Sequence, residues 1–299
     1  MSLPVDPLWP RAGGWPAFAD ASADGRPDLT LLGIPTWRTS LSPTGAHATP
    51  AAVREALRRY SAHVPGLDVE ALRFVDAGDV SEPDGADGEA RATAAMRAAV
   101  TASRLTVAVG GDNALTVPAA LGAFGDDLPD AGLITLDAHH DLRDGVSNGS
   151  PVRRLVEAGL DGRRIVQIGI ADFANSAAYG RRAAEYGITV VHRDELHRRP
   201  IDDVMAEALA VAGAGGGPVH VDLDVDVCDR SVAPGCPASV PGGLAAWELR
   251  RFARLAGASP AVRSLDIAEV DATADAEDAR TVRLAALLVL EAAAGLASR

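Results

Sequence analysis

The chain has 299 residues with 28 basic and 41 acidic side chains, a formal charge of −13; every basic residue is Arg, none is Lys, and Asp outnumbers Glu by 29 to 12. The missing amine excludes a Walker-type phosphate loop, a Schiff-base enzyme and a lysine-carbamate metal site, and two Cys are too few for a four-thiolate cluster or a disulfide framework. A net acidic chain is a poor partner for nucleic acid or an anionic membrane, so a small-molecule partner is expected; the surplus of Asp, a poor helix former but a good hard-metal ligand, needs a reason.

At 47% hydrophobic and 23% charged, the composition is that of a globular protein. Residues 1–20 hold no basic cluster followed by an apolar run, and the most apolar stretch, 284–290, is far short of the ~20 residues of a membrane helix, so a cytoplasmic protein is expected. In chain order, strand candidate 29–33 is followed by helical pattern 50–61, strand 73–77 by helix 89–103, 105–109 by 117–124 and 132–136 by 151–158. The alternation continues with strand 165–169 and helix 177–186, 189–192 and 201–212, 219–223 and 246–255, then 262–267 and 281–295. Such alternation, with nearly continuous apolar strands, predicts a parallel sheet covered on both faces. The Gly-rich stretch 213–217 precedes a strand, so it reads as a turn and not as a dinucleotide fingerprint, which follows one. Nothing resembles a linker, and residues 1–299 read as a single domain.

Ligands of an open parallel sheet bind beyond the carboxyl ends of its strands. Four strand candidates end there in polar clusters: Gly110-Gly111-Asp112-Asn113, Asp137-Ala138-His139-His140-Asp141, Asp222-Leu223-Asp224-Val225-Asp226 with Asp229 beyond, and Asp266-Ile267-Ala268-Glu269. Alternate residues of an extended segment share a side, so Asp137, His139 and Asp141 can converge, as can Asp222, Asp224 and Asp226. Five carboxylates and one imidazole in a low-dielectric cleft need cations, and this donor set suits Mn²⁺ or a similar divalent ion. Two clusters suggest two ions sharing Asp oxygens, with an activated water between them. Asp229 and Asp266 are read more blandly, as caps of the helix that follows.

With these motifs in order, the chain resembles the ureohydrolase family of arginases, agmatinases and formimidoylglutamases, whose motifs are Gly-Gly-Asp-His, Asp-Ala-His-x-Asp, Ser-x-Asp-x-Asp-x-x-Asp-Pro and a late Asp-x-x-Glu. Upstream, Gly45-Ala46-His47 followed by Pro50, Val53 and Arg54 matches the start of the family's early helix. The resemblance spans about residues 30–295. It implies an α/β fold, a three-layer α/β/α sandwich around a mostly parallel, about eight-stranded sheet, in one arginase-like catalytic domain that forms a homo-oligomer. It also implies two Mn²⁺ ions and hydrolysis of a C–N bond in a guanidino or formimino group. Carried over by position, Asn113, Asp137, Asp141 and Asp224 would surround the first metal, and Asp137, His139, Asp224 and Asp226 the second. Asp141 would take the proton of the attacking water, and Glu269 would hold the cationic amidine. Asn113 replaces the family's His and Asp222 its Ser, which implies a weaker first metal site.

After Asp141, Leu142-Arg143 and then Ser147-Asn148-Gly149-Ser150-Pro151 resemble the formimidoylglutamase branch more than arginases or agmatinases, which place His where Asn148 stands. Arg143 and Asn148 are therefore the expected substrate-binding residues, with Arg143 forking onto a substrate carboxylate. The leading reading is hydrolysis of N-formimidoyl-L-glutamate to glutamate and formamide; the runner-up is a guanidino substrate such as agmatine, guanidinobutyrate, arginine or N-hydroxyarginine. Gly145-Val146-Ser147-Asn148-Gly149 fits the pattern of a serine-hydrolase elbow, but Asp141 to Asp144 intervene where a strand should lead straight into it. A scaffold that has lost catalysis is the other rival, and Asn113 is its main support. His140 falls at a variable position, His63, His192 and His197 read as surface residues, and His220 as a satisfied core histidine. Cys228 and Cys236 read as free, partly buried thiols, and Trp37, after a strand end, as a neighbour of the site entrance.

Overall fold

The structure, a computed structural model, describes residues 6–18 and 25–299, so part of the N-terminal stretch 1–20, read above as free of a leader, lies outside the described residues. Eight strands form: β1 (Leu29–Ile34), β2 (Phe74–Asp79), β3 (Leu105–Gly110), β4 (Gly132–Leu136), β5 (Ile165–Ile170), β6 (Thr189–His192), β7 (Val219–Asp224) and β8 (Val262–Ala268). β1, β3, β4, β5 and β7 are buried at every position, because a helix layer covers each face of the sheet. The helices are α1 (Thr49–Leu57), α2 (Gly85–Ala102), α3 (Thr116–Phe124), α4 (Pro151–Ala158), α5 (Ala177–Tyr186), α6 (Arg193–Leu196), α7 (Ile201–Ala212), α8 (Ala246–Ala258) and α9 (Arg280–Ala297).

Local chemistry sets several of their ends. Pro151 opens α4 and Gly159 closes it in the left-handed conformation. The Ser176 side chain accepts from the Tyr179 N–H at the start of α5, and left-handed Gly187 ends it. α1 stops at Leu57, short of the predicted 61, because the chain tightens into short-range turns, Arg59 N–H to Ala56 O and Tyr60 N–H to Leu57 O. α2 starts at Gly85, ahead of the predicted 89, immediately after an extended Asp84. The single turn of α6 was not expected; four residues are too few to show a helical period.

All neighbouring strands are parallel, in the order β2-β1-β3-β8-β7-β4-β5-β6. The four motif-bearing strands, β3, β8, β7 and β4, are therefore consecutive at the centre of the sheet, and their carboxyl ends open on one side. α1, α7, α8 and α9 pack with the large core cluster on one face, while α2, α3, α4 and α5 cover the other. No helix among the described residues is long and apolar enough to cross a membrane.

Candidate active site

Beyond β4 the chain leaves the sheet, and His139 and Asp141 turn into a cavity of about 380 Å³ while Asp137 stays buried behind His139. His139, Asp141, Arg143, Asn148, Asp224 and Glu269 line this cavity, with Asp226 beside them. Asp226 does not reach it by strand alternation: after Asp224 the chain coils into a 3-10 turn over Val225–Val227, which the Asp224 carboxylate caps by accepting the Asp226 N–H at 2.9 Å. Asp222, expected beside Asp224 and Asp226, lies deeper. It stands opposite Asp266 in the β7–β8 register, and burial and then the Asp266 carboxylate beside it push its own carboxyl well above the ordinary range. Asp266 is not the helix cap it was read as; it sits within β8, fully buried, and bonds His220 Nε2 at 3.0 Å, while His220 Nδ1 meets Ser264 Oγ at 2.7 Å.

The cluster is electrostatically loaded. Asp137, Asp224 and Asp226 are buried, and one ligand atom from each of Asp137, His139 and Asp226 lies within 4.8 Å of the others. Burial, then the charge of Asp226, lifts the Asp137 carboxyl to about 7. Asp141 and Asp224 are also raised well above the ordinary range by burial and neighbouring carboxylates. His139 goes the other way from a buried imidazole: burial opposes its charge, but Asp226 at 2.9 Å and Asp137 at 3.4 Å prevail and raise it to about 12. Asp137 Oδ2 is buried without a hydrogen-bond partner. An orphaned carboxylate oxygen among carboxylates and an imidazole is the donor set of a hard or borderline divalent cation, so these residues fit Mn²⁺.

Two residues of the cavity wall sit on strained backbone. Asp141 has φ 52° and Glu269 φ 59°, left-handed values that non-glycine residues rarely adopt. Surrounding bonds hold them there. Asp141 O accepts from Arg153 N–H, and its Oδ2 accepts from Asn113 Nδ2 at 2.7 Å. Glu269 Oε1 accepts from Asn113 N–H at 2.8 Å and from Asn148 Nδ2 at 2.7 Å. Burial, then the charge of Asp112, raises the Glu269 carboxyl to about 8. Asn113 thus serves both carboxylates as a donor, while its own Oδ1 accepts from Thr116 Oγ1 at 2.5 Å. Asn148, expected to meet substrate, lines the cavity but also clasps Glu269, and its Oδ1 accepts from Leu41 N–H at 3.0 Å.

Arg143 lies on the cavity wall, and its backbone N–H donates to Gly149 O at 3.0 Å. Leu41 and Phe173 form an apolar rim. Trp37 packs on His47, 5.0 Å between ring centroids, outside the cavity lining. Ser147 is buried in the 141–150 loop and accepts from Gly149 N–H, far from any strand-to-helix elbow. Cys228 and Cys236 are free and fully buried. Sequence reasoning missed Gln167 and Asn175, which grip the 138–140 segment from the side. A lone Gln in the otherwise apolar strand Ile165–Ile170 was the available signal; Asn175, in a loop, left none.

The arginase family model matches residues 27–295. The chain is 34% identical over 271 residues to the formimidoylglutamase of Halalkalibacterium halodurans, covering 87% of this chain and 84% of that one. It is similar to the crystal structure of formimidoylglutamase from Bacillus subtilis, with a TM-score of 0.90 and 28% identity over 99% of this chain and 94% of that one. Trypanosoma cruzi formiminoglutamase with Mn²⁺ gives a TM-score of 0.82 at 26% identity, covering 91% of this chain and 94% of that one.

Proposed function

The chain belongs to the arginase family, and from that premise we propose that it is a manganese-dependent hydrolase converting N-formimidoyl-L-glutamate and water to L-glutamate and formamide. The observation that carries the reading is the cavity whose lining includes Arg143 together with Asp141, His139 and Asp224, with Glu269 bonded by Asn113 and Asn148. The similarity to formimidoylglutamases supports this substrate over a guanidino compound.

Asp137, His139, Asp224 and Asp226 are the residues proposed to hold one Mn²⁺, and Asn113, Asp137, Asp141 and Asp224 the other. Asn113 is the poorest donor of the set, since its oxygen already accepts from Thr116 and its NH₂ donates to Asp141. When bound, the ions supply Lewis acidity that makes water a nucleophile near neutral pH. The protein supplies position and proton transfer. Arg143 takes a substrate carboxylate in its two-pronged guanidinium. Glu269, with Oε1 occupied by two N–H donors, turns its other oxygen to the cationic formimino group. Asp141, tied through Oδ2 to Asn113, accepts the water's proton as oxygen adds to the formimino carbon. That proton then passes to the glutamate nitrogen as the C–N bond breaks, leaving formamide and a free amine. The same reading takes the enzyme as one catalytic domain that assembles as a homo-oligomer in the cytoplasm, which sedimentation of the purified protein checks for the assembly.

The test is product analysis on a panel of formimino and guanidino substrates with added Mn²⁺. Formamide from N-formimidoyl-L-glutamate is expected, and Arg143→Ala should raise KM for this dicarboxylate selectively. Urea release from a guanidino compound as the dominant activity, or equal losses on every substrate, would overturn the assignment.

A further inference from the structure

β4 ends at Leu136, so the ligand-bearing residues 137–141 run on past the ladder that held the strand. Backbone bonds persist at Asp137 N–H to Ile168 O, 3.0 Å, and at Ala138, and from there side chains take over the ladder's work. Asn175, in the loop between β5 and α5, accepts the His140 N–H on Oδ1 at 2.9 Å. Its Nδ2 donates to Ala138 O at 2.8 Å and Ala171 O at 3.2 Å, and Ala171 N–H adds a bond to Ala138 O at 3.0 Å. Gln167, within β5, completes the grip: its Nε2 donates to His140 O at 2.8 Å and its Oε1 meets His140 Nδ1 at 2.7 Å. The amide of Asn175 thus binds the backbone on both sides of His139, as a neighbouring strand would, and spends every polar atom doing so. The same loop forms part of the cavity wall through Phe173 and Ser176.

We propose that Asn175 is a positioning residue for the metal site: it holds the backbone flanking His139 so that the imidazole stays beside Asp137 and Asp226, and it ties the substrate-facing loop 171–176 to the metal-ligating segment. This rests on the reading that Asp137, His139 and Asp226 take Mn²⁺. A ligand whose backbone is free to swing loses pre-organisation, and removal of groups that orient metal ligands weakens binding by roughly 10–100-fold.

The test uses the full-length, metal-free protein with Mn²⁺ as the probe, following free Mn²⁺ by electron paramagnetic resonance and the His140 amide by hydrogen exchange. In the wild type the His140 amide should be protected before any Mn²⁺ is added; exchange as fast as an exposed loop amide overturns the inference without any variant. Asn175→Ala should weaken Mn²⁺ binding roughly tenfold or more and speed exchange at His140. Asn175→Asp separates position from charge. An added carboxylate near the site would tighten Mn²⁺ binding if charge alone mattered, whereas loss of the two N–H donors to Ala138 and Ala171 should loosen it. Tighter binding by the Asp variant, or binding by both variants within twofold of wild type, overturns the proposal while leaving the metal reading intact. A wild type that takes up no Mn²⁺ overturns that reading and this inference with it.

Discussion

Asn148→Ala is the sharpest test of how Glu269 works. The substitution removes the Nδ2 donor that reaches Glu269 Oε1 at 2.7 Å and leaves Asn113 N–H as the remaining donor to that oxygen. Glu269 is 5% exposed, so water cannot readily replace the lost bond. A hydrogen bond to a buried charged group is worth roughly 1.5–3 kcal/mol, which corresponds to a fall in kcat/KM of about 10–150-fold if Glu269 acts as an anion. The pH profile should move as well. Burial and then Asp112 already raise this carboxyl to about 8, and Asn148 is one of the groups that pull it down. Losing Asn148 raises it further. An anion is needed to hold the cationic formimino group, so activity climbs as pH rises through this ionisation, and the acid limb of kcat/KM should shift upward by about 1–2 pH units. Bound Mn²⁺ sets where the wild-type limb lies, but the difference between the two enzymes at the same Mn²⁺ saturation isolates Asn148. The assay is formamide release from N-formimidoyl-L-glutamate across pH, with circular dichroism to confirm the fold. A kcat/KM close to wild type with an unmoved acid limb would refute the clasp.

Removing the metal should make stability depend on pH in a fixed direction. Asp137 and Glu269 have folded-state pKa values raised to about 7 and about 8, so between the ordinary carboxyl range and those values the native state holds more protons than the unfolded one. His139, raised to about 12, adds stability that is complete below its unfolded value and declines above it. All three make chelator-treated protein lose stability as pH rises from about 5 to 8, whereas Mn²⁺, which needs deprotonated ligands, should offset the loss; parallel melting curves with and without Mn²⁺ would contradict this. Asn113→His should let the protein retain two ions through gel filtration where the wild type retains fewer, and metal counting decides it, two tightly held ions in the wild type being the contrary result. His220→Leu strands a fully buried Asp266 without its imidazole partner and should cost roughly 3–5 kcal/mol in denaturant unfolding; a loss below about 1 kcal/mol would show that the pair is dispensable.

What could be read from the sequence and what could not divide along a physical line. The strands were legible because burial on both faces makes each a continuous apolar run, and the meeting of Asp137 with His139 was legible because residues two apart share a side, although the third member of their group is Asp226 and not Asp141. Sheet order was not legible: placing β8 and β7 between β3 and β4 depends on pairings between segments far apart in the chain. Side-chain roles failed for the same reason. Asn148 lies 121 residues from the Glu269 it clasps, and Asn113 lies 156 residues from that carboxylate, so no local pattern could assign them as donors. Asp226 and Asp222 show the limit from the other side. Strand alternation put both in the cluster, but a 3-10 turn delivers Asp226, while Asp222 remains on the sheet facing Asp266. Strain completes the contrast. Nothing in the identity of Asp141 or Glu269 announces a left-handed backbone, yet both adopt one, and both do so at the same cavity. Conformations that cost on the order of 1–3 kcal/mol each persist only where surrounding bonds enforce them. Here Asn113 touches both residues, through Nδ2 to Asp141 and through its backbone N–H to Glu269. The residue that departs from the family's metal-binding His therefore still joins the two carboxylates assigned to proton transfer and amidine binding, so its substitution should disturb their alignment as well as the metal.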